Sequence, residues 1–293
     1  MNAGILTGRV AIVTGGSQGL GLEVAKRFVA EGARVTVCAR SEGDIADAVQ
    51  GLKECPGPFA DEVQGYAVDV ARVDDVTRLV DAVIAKDGCI DILVNNAGVY
   101  GPMGAIDGVS MDDWIQAIEV NLFGSVNLVR AVIPHMKKAA GGKIIQLSGG
   151  GATSPMPMIS AYAASKAAVV RFAESVAGEV AKFGIDINSV APGALNTRML
   201  NEVLGAGPEL VGGTFFERSE AQNNQGGTPL SVPTDLITFL ASAESDGVTG
   251  KLISAVWDPW STFPAHRDDL TQTDIYTIRR IVPSDRGLSW GIE

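Results

Sequence analysis

The sequence predicts an α/β protein: a parallel sheet with helices on both of its faces. Two observations carry that class. Short runs rich in Val, Ile and Ala alternate along the 293 residues with longer helix-period segments, the rhythm of βαβ units. The strand candidates are also near-continuous apolar runs with little polar alternation, as in strands buried on both faces. A composition of 46% hydrophobic and 19% charged residues provides for a large core.

In chain order, strand candidates at Arg9–Thr14 and Arg34–Ala39 flank a helix over Leu20–Glu31, where apolar residues recur three and four apart. Gln64–Val70 follows, then a helix over Val73–Lys86 and a strand over Ile90–Asn95. Trp114–Lys137 is long enough for a central helix interrupted near Asn121, with Pro134 bending it or marking its last turn. A strand at Lys143–Ser148 precedes a long helix over Ser160–Lys182, whose Ala161, Ala164 and Ala168 suit close packing. Asp186–Val190 and Lys251–Val256 complete the strands. Between them, Gly193–Pro233 breaks the rhythm as a loop-rich region with short helices around Asn201 and Glu217. After Val256 comes a tail opening WDPWSTFP and ending in the alternating segment Asp274–Val282. Trp257, Trp260, Phe263, Tyr276 and Trp290 mark it as docked rather than disordered.

Several function classes fall away on composition. The 23 Lys and Arg against 34 Asp and Glu leave a net charge of −11, which disfavours nucleic-acid backbones and anionic lipid. Cys38, Cys55 and Cys89 are too few and scattered for a disulfide framework or a zinc site, and His135 and His266 lack metal-ligand spacing. No metal is expected. The opening MNAGILTGRVAIVTGG reads as a strand rather than a signal peptide, and no uninterrupted apolar stretch reaches the roughly 18 residues of a bilayer span. A cytoplasmic protein with neither nucleic acid nor membrane as partner is the expectation.

Directly after the first strand comes TGGSQGLG, Thr14 to Gly21, leading into a helix. Gly15, Gly19 and Gly21 supply tight turns and close backbone approach, and the helix N-terminus offers free N–H groups to a pyrophosphate. Without such a ligand the same residues would form a plain strand-to-helix turn. The second strand ends VCARS, so Arg40 and Ser41 stand about 20 residues beyond the last loop glycine, where a carboxylate would bind ribose hydroxyls. A guanidinium there pairs with a 2′-phosphate instead, which predicts NADP over NAD unless Arg40 is simply a solvated surface group.

The TGxxxGxG loop, the NNAG tetrad at Asn95–Gly98 and the YAASK run at Tyr162–Lys166 occur in this order. Together they resemble the short-chain dehydrogenase/reductase family, in its single-domain branch, over roughly residues 7–256. The resemblance implies a Rossmann-type doubly wound parallel sheet of about seven strands with helices on both faces. It implies nicotinamide-dependent redox chemistry between a secondary alcohol and a ketone, and a homo-tetramer or homo-dimer. Residues 1–256 would then form one catalytic domain with 193–233 as its substrate-loop region. Residues 257–293 would be an extension packed on the domain or on a neighbouring subunit.

The chemistry can be rebuilt from the residues. A hydride delivered to a carbonyl leaves an alkoxide that must be protonated by an acid within hydrogen-bonding reach, and Tyr162 is the candidate. A free phenol has a pKa of about 10, so positive charge nearby must stabilise its anion. Lys166, four residues on, shares its helix face. In the family pattern this Lys also holds the nicotinamide ribose, a Ser donates to the substrate oxygen, and an Asn interrupts a helix so that its carbonyl holds a water. Asn121, in VNLFG, matches the last. The Ser match is imperfect: thirteen residues before Tyr162, the usual spacing, stands Gly149, and Ser148 is fourteen before it. Ser148 is expected to serve, re-aimed by Gly149–Gly151, with Thr153 or Ser154 as alternatives.

Cofactor contacts carried over by position are Gly15, Ser17, Gln18, Gly19, Leu20 and Gly21 in the loop, then Arg40, Ser41, Asp69, Val70, Asn95, Ala97 and Gly98. Tyr162, Lys166, Pro192, Gly193 and Thr197 complete the set. Trp257 and Asp258 fall near the carboxyl edge of the sheet, where the tail either caps a substrate pocket or extends an interface. Arg279 and Arg280 are candidates for an acidic substrate or for solvation. The expected activity is an NADPH-preferring carbonyl reductase. The alternatives are an NAD-dependent dehydrogenase of a polyol or sugar-like alcohol, and a dinucleotide-binding regulator without turnover.

Overall fold

The computed structural model describes residues 4–289. Seven parallel strands form one sheet: β1 (Val10–Thr14), β2 (Arg34–Ala39), β3 (Gln64–Ala67), β4 (Ile92–Asn95), β5 (Gly142–Leu147), β6 (Ile185–Ala191) and β7 (Leu252–Ser254). Their order is β3-β2-β1-β4-β5-β6-β7. Every predicted strand is present; β6 runs one residue longer at each end than predicted, and β3 and β7 are shorter, each where a side chain closes a turn. β3 stops at Ala67 rather than Val70, and the chain then turns as the Ala71 N–H donates to Asp69 Oδ1 at 3.0 Å. β7 is short because the Ser254 N–H donates to Asp258 Oδ2 at 2.6 Å.

Helices α1 (Gly19–Ala30), α2 (Glu42–Lys53) and α10 (Ser231–Ala241) cover one face, where Ala11 and Val13 of β1 meet Val24, Phe28, Ile45 and Leu236. Helices α3 (Val73–Asp87), α5 (Gly124–Ala139) and α6 (Ser160–Val180) cover the other, where Val10 and Ile12 meet Leu79, Leu128 and Ala173. Alternate residues of one strand thus enter different cores, and this is why the strand reads as a continuous apolar run. The predicted central helix is α4 (Met111–Ile118) joined to α5 through a single π turn at Glu119–Phe123 containing Asn121. Pro134 lies inside α5 and does not end it. By length and apolar content, Met111–Ala139 is the one described helix that could cross a bilayer; here its Leu128, Val129, Val132 and Met136 are buried in the second core.

Residues 193–233 hold α7 (Arg198–Ala206), the one-turn α8 (Pro208–Val211) and α9 (Gly213–Gln225). The tail docks on its own chain: Phe263, and Leu270 of α11 (Arg267–Gln272), are buried in the first core. It also covers the outer edge of β7. The Leu252 N–H donates to the Tyr276 carbonyl at 2.7 Å, and Lys251 Nζ donates to the carbonyls of Thr273 and Ile275 at 3.1 and 2.9 Å. The Arg171 guanidinium and the Glu174 carboxylate of α6 hold the backbone of Ile278. Arg279 is engaged within the tail, with Asp285 at 2.8 and 3.1 Å. Trp290 lies outside the described residues.

Candidate active site

The strand order reverses between β1 and β4, and at their carboxyl ends the chain leaves a crevice of about 250 Å³. Its floor is the glycine loop. Gly15 and Gly19 take φ of +61° and +55°, which only glycine adopts readily. Thr14 Oγ1 accepts from the N–H groups of Asn96 and Ala97, both at 3.0 Å. Asn96 Nδ2 donates back to the carbonyls of Thr14 and Gly15 at 2.9 and 3.1 Å. Gly21 lets α1 approach this brace, for a Cβ there would overlap the Gly15 carbonyl and the Asn96 amide. No side chain caps the N-terminus of α1 at Gln18, so its first N–H groups are available to an anion in the crevice.

Of the residues assigned to a cofactor, Gly15, Ser17, Gln18, Gly19, Leu20, Arg40, Ser41, Asp69, Val70, Ala97, Gly98 and Thr197 line this crevice. Gly21 and Asn95 stand behind its wall, Asn95 donating to the Ser125 carbonyl at 3.4 Å. Pro192 and Gly193 follow β6, where Gly193 packs closely against Val256 and Thr228. Ser41 caps α2, accepting from the Asp44 N–H at 3.2 Å. Asp44, Asn96 and Arg198 also line the crevice and were not assigned from sequence. Asn127, likewise unassigned, anchors the loop after β3 through the carbonyls of Val70 and Ala71.

Asn121, Tyr162 and Lys166 do not line the crevice but group next to Gly98, which does: a Cβ built there would lie 3.2 Å from Asn121 Oδ1 and 3.5 Å from Lys166 Nζ. The Asn121 side chain is buried and fully bonded: Oδ1 accepts from the Val99 N–H at 2.8 Å, and Nδ2 donates to the Val99 carbonyl and to Ser165 Oγ, each at 2.9 Å. One amide thereby ties the segment after β4 to α6, the helix that presents Tyr162 and Lys166. The Asn121 carbonyl accepts from Ser125 Oγ at 3.0 Å. Lys166 Nζ donates to the Leu147 carbonyl at 2.7 Å and lies 5.8 Å from the centre of the Tyr162 ring. Among the described residues it has no other acceptor, which leaves two N–H groups for a ligand. Burial pushes the Tyr162 phenol well above its ordinary range, and the nearby Tyr100 adds to the shift. Burial brings the Lys166 ammonium down to about 8.

Ser148 Oγ is sealed from solvent and has no hydrogen-bond partner among the described residues. Thr153 and Ser154 are exposed beyond the turn Gly150–Ala152. Tyr100, which sequence reasoning passed over, stacks on Tyr162 with ring centres 4.7 Å apart. Trp257 is 85% exposed, and Asp258 is engaged in the turn after β7.

The Lys166 shift has a measurable consequence. Between about 8 and 10.5 the unfolded chain keeps this proton while the folded chain has released it, so Lys166 makes stability rise with pH across that window. The unfolding free-energy difference between wild type and Lys166→Met should therefore move in favour of wild type from pH 8 to 10.5. A pH-independent difference in denaturant titrations would mean that Lys166 is not depressed.

Fold and crevice define a doubly wound, Rossmann-type α/β protein with a Tyr–Lys pair beside its switch point. The short chain dehydrogenase family model matches residues 9–206. The chain belongs to the short-chain dehydrogenase/reductase family and is an oxidoreductase-type enzyme. It is 35% identical over 249 residues to dehydrogenase/reductase SDR family member 4 of Caenorhabditis elegans, covering 84% of this chain and 93% of the relative. An actinorhodin polyketide ketoreductase structure with NADPH superposes with a TM-score of 0.77 at 30% identity, covering 86% and 97% of the two chains. An NAD+-bound xylitol dehydrogenase does so with a TM-score of 0.74 at 25% identity, covering 85% and 98%.

Proposed function

We propose that this enzyme is an NADPH-preferring carbonyl reductase acting on a small-molecule ketone. The observation that carries the reading is the grouping of Asn121, Lys166 and Tyr162 beside Gly98, a residue of the same crevice that Arg40 lines. A nicotinamide dinucleotide bound there would supply the hydride. The uncapped N-terminus of α1 and the loop Gly15–Leu20 would hold its pyrophosphate, Arg40 its 2′-phosphate, and the two remaining Lys166 N–H groups its ribose hydroxyls. Tyr162 keeps its proton at neutral pH because burial opposes the phenolate. An alkoxide forming beside it is the stronger base and takes that proton, which suits reduction.

A second reading, an NAD-dependent dehydrogenase of a polyol-like alcohol, is favoured by Asp44. Asp44 lines the same crevice as Arg40, and a carboxylate there accepts from ribose hydroxyls but repels a phosphate. Nicotinamide fluorescence titration separates the two. NADPH should bind more tightly than NADH. Arg40→Ala should weaken NADPH by roughly 10- to 150-fold, the equivalent of about 1.5–3 kcal/mol for hydrogen bonds to a charged group, and leave NADH unchanged. Wild-type preference for NADH would overturn the NADPH assignment and support the dehydrogenase.

A further inference from the structure

We propose that Tyr100 supplies the second hydrogen-bond donor to the reacting oxygen, a role that neither Ser148 nor residue 149 fills in this chain. The inference deepens the reductase reading and rests on Tyr162 as the acid.

An oxygen that gains negative charge in the transition state is stabilised by donors already aimed at it. The wall facing the Tyr162 hydroxyl is residue 149, since a Cβ built there would overlap that hydroxyl. It is glycine, so the wall offers no side-chain donor. Gly149 has φ −176° and ψ 175°, and the Ser148 N–H still pairs with the Val190 carbonyl at 2.8 Å, so the extended backbone of β5 runs on through both residues. In extended chain successive side chains leave on opposite sides. The direction that meets Tyr162 at 149 is therefore the direction Ser148 cannot take. The sealed, unpartnered Ser148 Oγ agrees.

Tyr100 stands next to this acid. Its ring packs on Tyr162 at 4.7 Å, tilted by 58°. Its place is set by the residue before it, because Asn121 holds both the N–H and the carbonyl of Val99. Among the described residues its hydroxyl makes no hydrogen bond, which leaves the O–H for a ligand. Burial, and after it the Glu202 carboxylate, hold this phenol above its ordinary range, so it stays a donor. In the step itself the Tyr162 O–H bond breaks and its proton bonds to the substrate oxygen as the hydride reaches the carbon. Tyr100 keeps its own proton throughout.

The test uses full-length Tyr100→Phe, Ser148→Ala and Tyr162→Phe with NADPH and the activated diketone 2,3-butanedione as probe. Phe at 100 keeps the ring against Tyr162 and removes only the hydroxyl, so a merely structural role would leave kcat unchanged. The expected result is a kcat for Tyr100→Phe lower by about 10²-fold with NADPH affinity intact, and a Ser148→Ala rate within about threefold of wild type. A wild-type kcat in Tyr100→Phe, or the loss appearing in Ser148→Ala instead, overturns the proposal. Full turnover in Tyr162→Phe overturns the underlying acid assignment and the proposal with it, an outcome distinguished by which variant stays active.

Discussion

Tyr162→Phe is expected to cut turnover by about 10²–10⁴-fold while NADPH binds as tightly as to wild type. Phe preserves the ring that packs against Tyr100 and lies 5.8 Å from Lys166 Nζ, so the geometry of the crevice stays in place. What is removed is the only proton that the proposed mechanism transfers. Steady-state NADPH oxidation measures the first quantity and fluorescence titration the second. A variant that turns over at the wild-type rate would take Tyr162 out of the acid role, whereas lost cofactor binding would point to a structural fault.

Truncation after Val256 is expected to prevent stable folding. The tail fills the first core with Phe263 and Leu270, each 3% exposed, and accepts two hydrogen bonds from Lys251 Nζ. Removing one such aromatic typically costs about 3–5 kcal/mol and one such Leu about 2–5, against a total stability of roughly 5–15 kcal/mol. The free edge of β7 would also lose its contact with Tyr276 and become open to strand pairing with other chains. Phe263→Ala is the milder version and should lower Tm by about 10 °C in thermal unfolding. An unchanged Tm would mean that the tail contributes nothing to the core. A role for the tail at the active site therefore has to be sought with point substitutions rather than by deletion.

The strands and the glycine loop were legible because their signals are local. Apolar runs such as Val10–Thr14 and the turn glycines Gly15 and Gly19 carry their conformation in their own residues. Helices α2 and α10 were not read. α2 contains Gly43 and Gly51, which weaken its propensity, and α10 is buried at every position from Leu236 to Ala241, five of them apolar, so that no helical face stands out. The interruption at Asn121 was visible as a polar residue in an apolar run, but the π turn and the two hydrogen bonds to the Val99 backbone were not. Tyr100 carried no signal, since its significance comes from a residue 62 positions away.

The sequence by itself determined the family, the parallel sheet, the crevice-forming loop and the Tyr162–Lys166 pair, because each rests on residues close enough in the chain to constrain one another. Only the tertiary structure decided that Phe263 and Leu270 of the tail enter the first core, and which residue of the β5 end faces Tyr162. Whether Ser148 or Gly149 faces that phenol depends on the alternation of an extended strand measured against a separate helix. A one-residue step reverses the answer, and no local pattern records the register between two such distant segments.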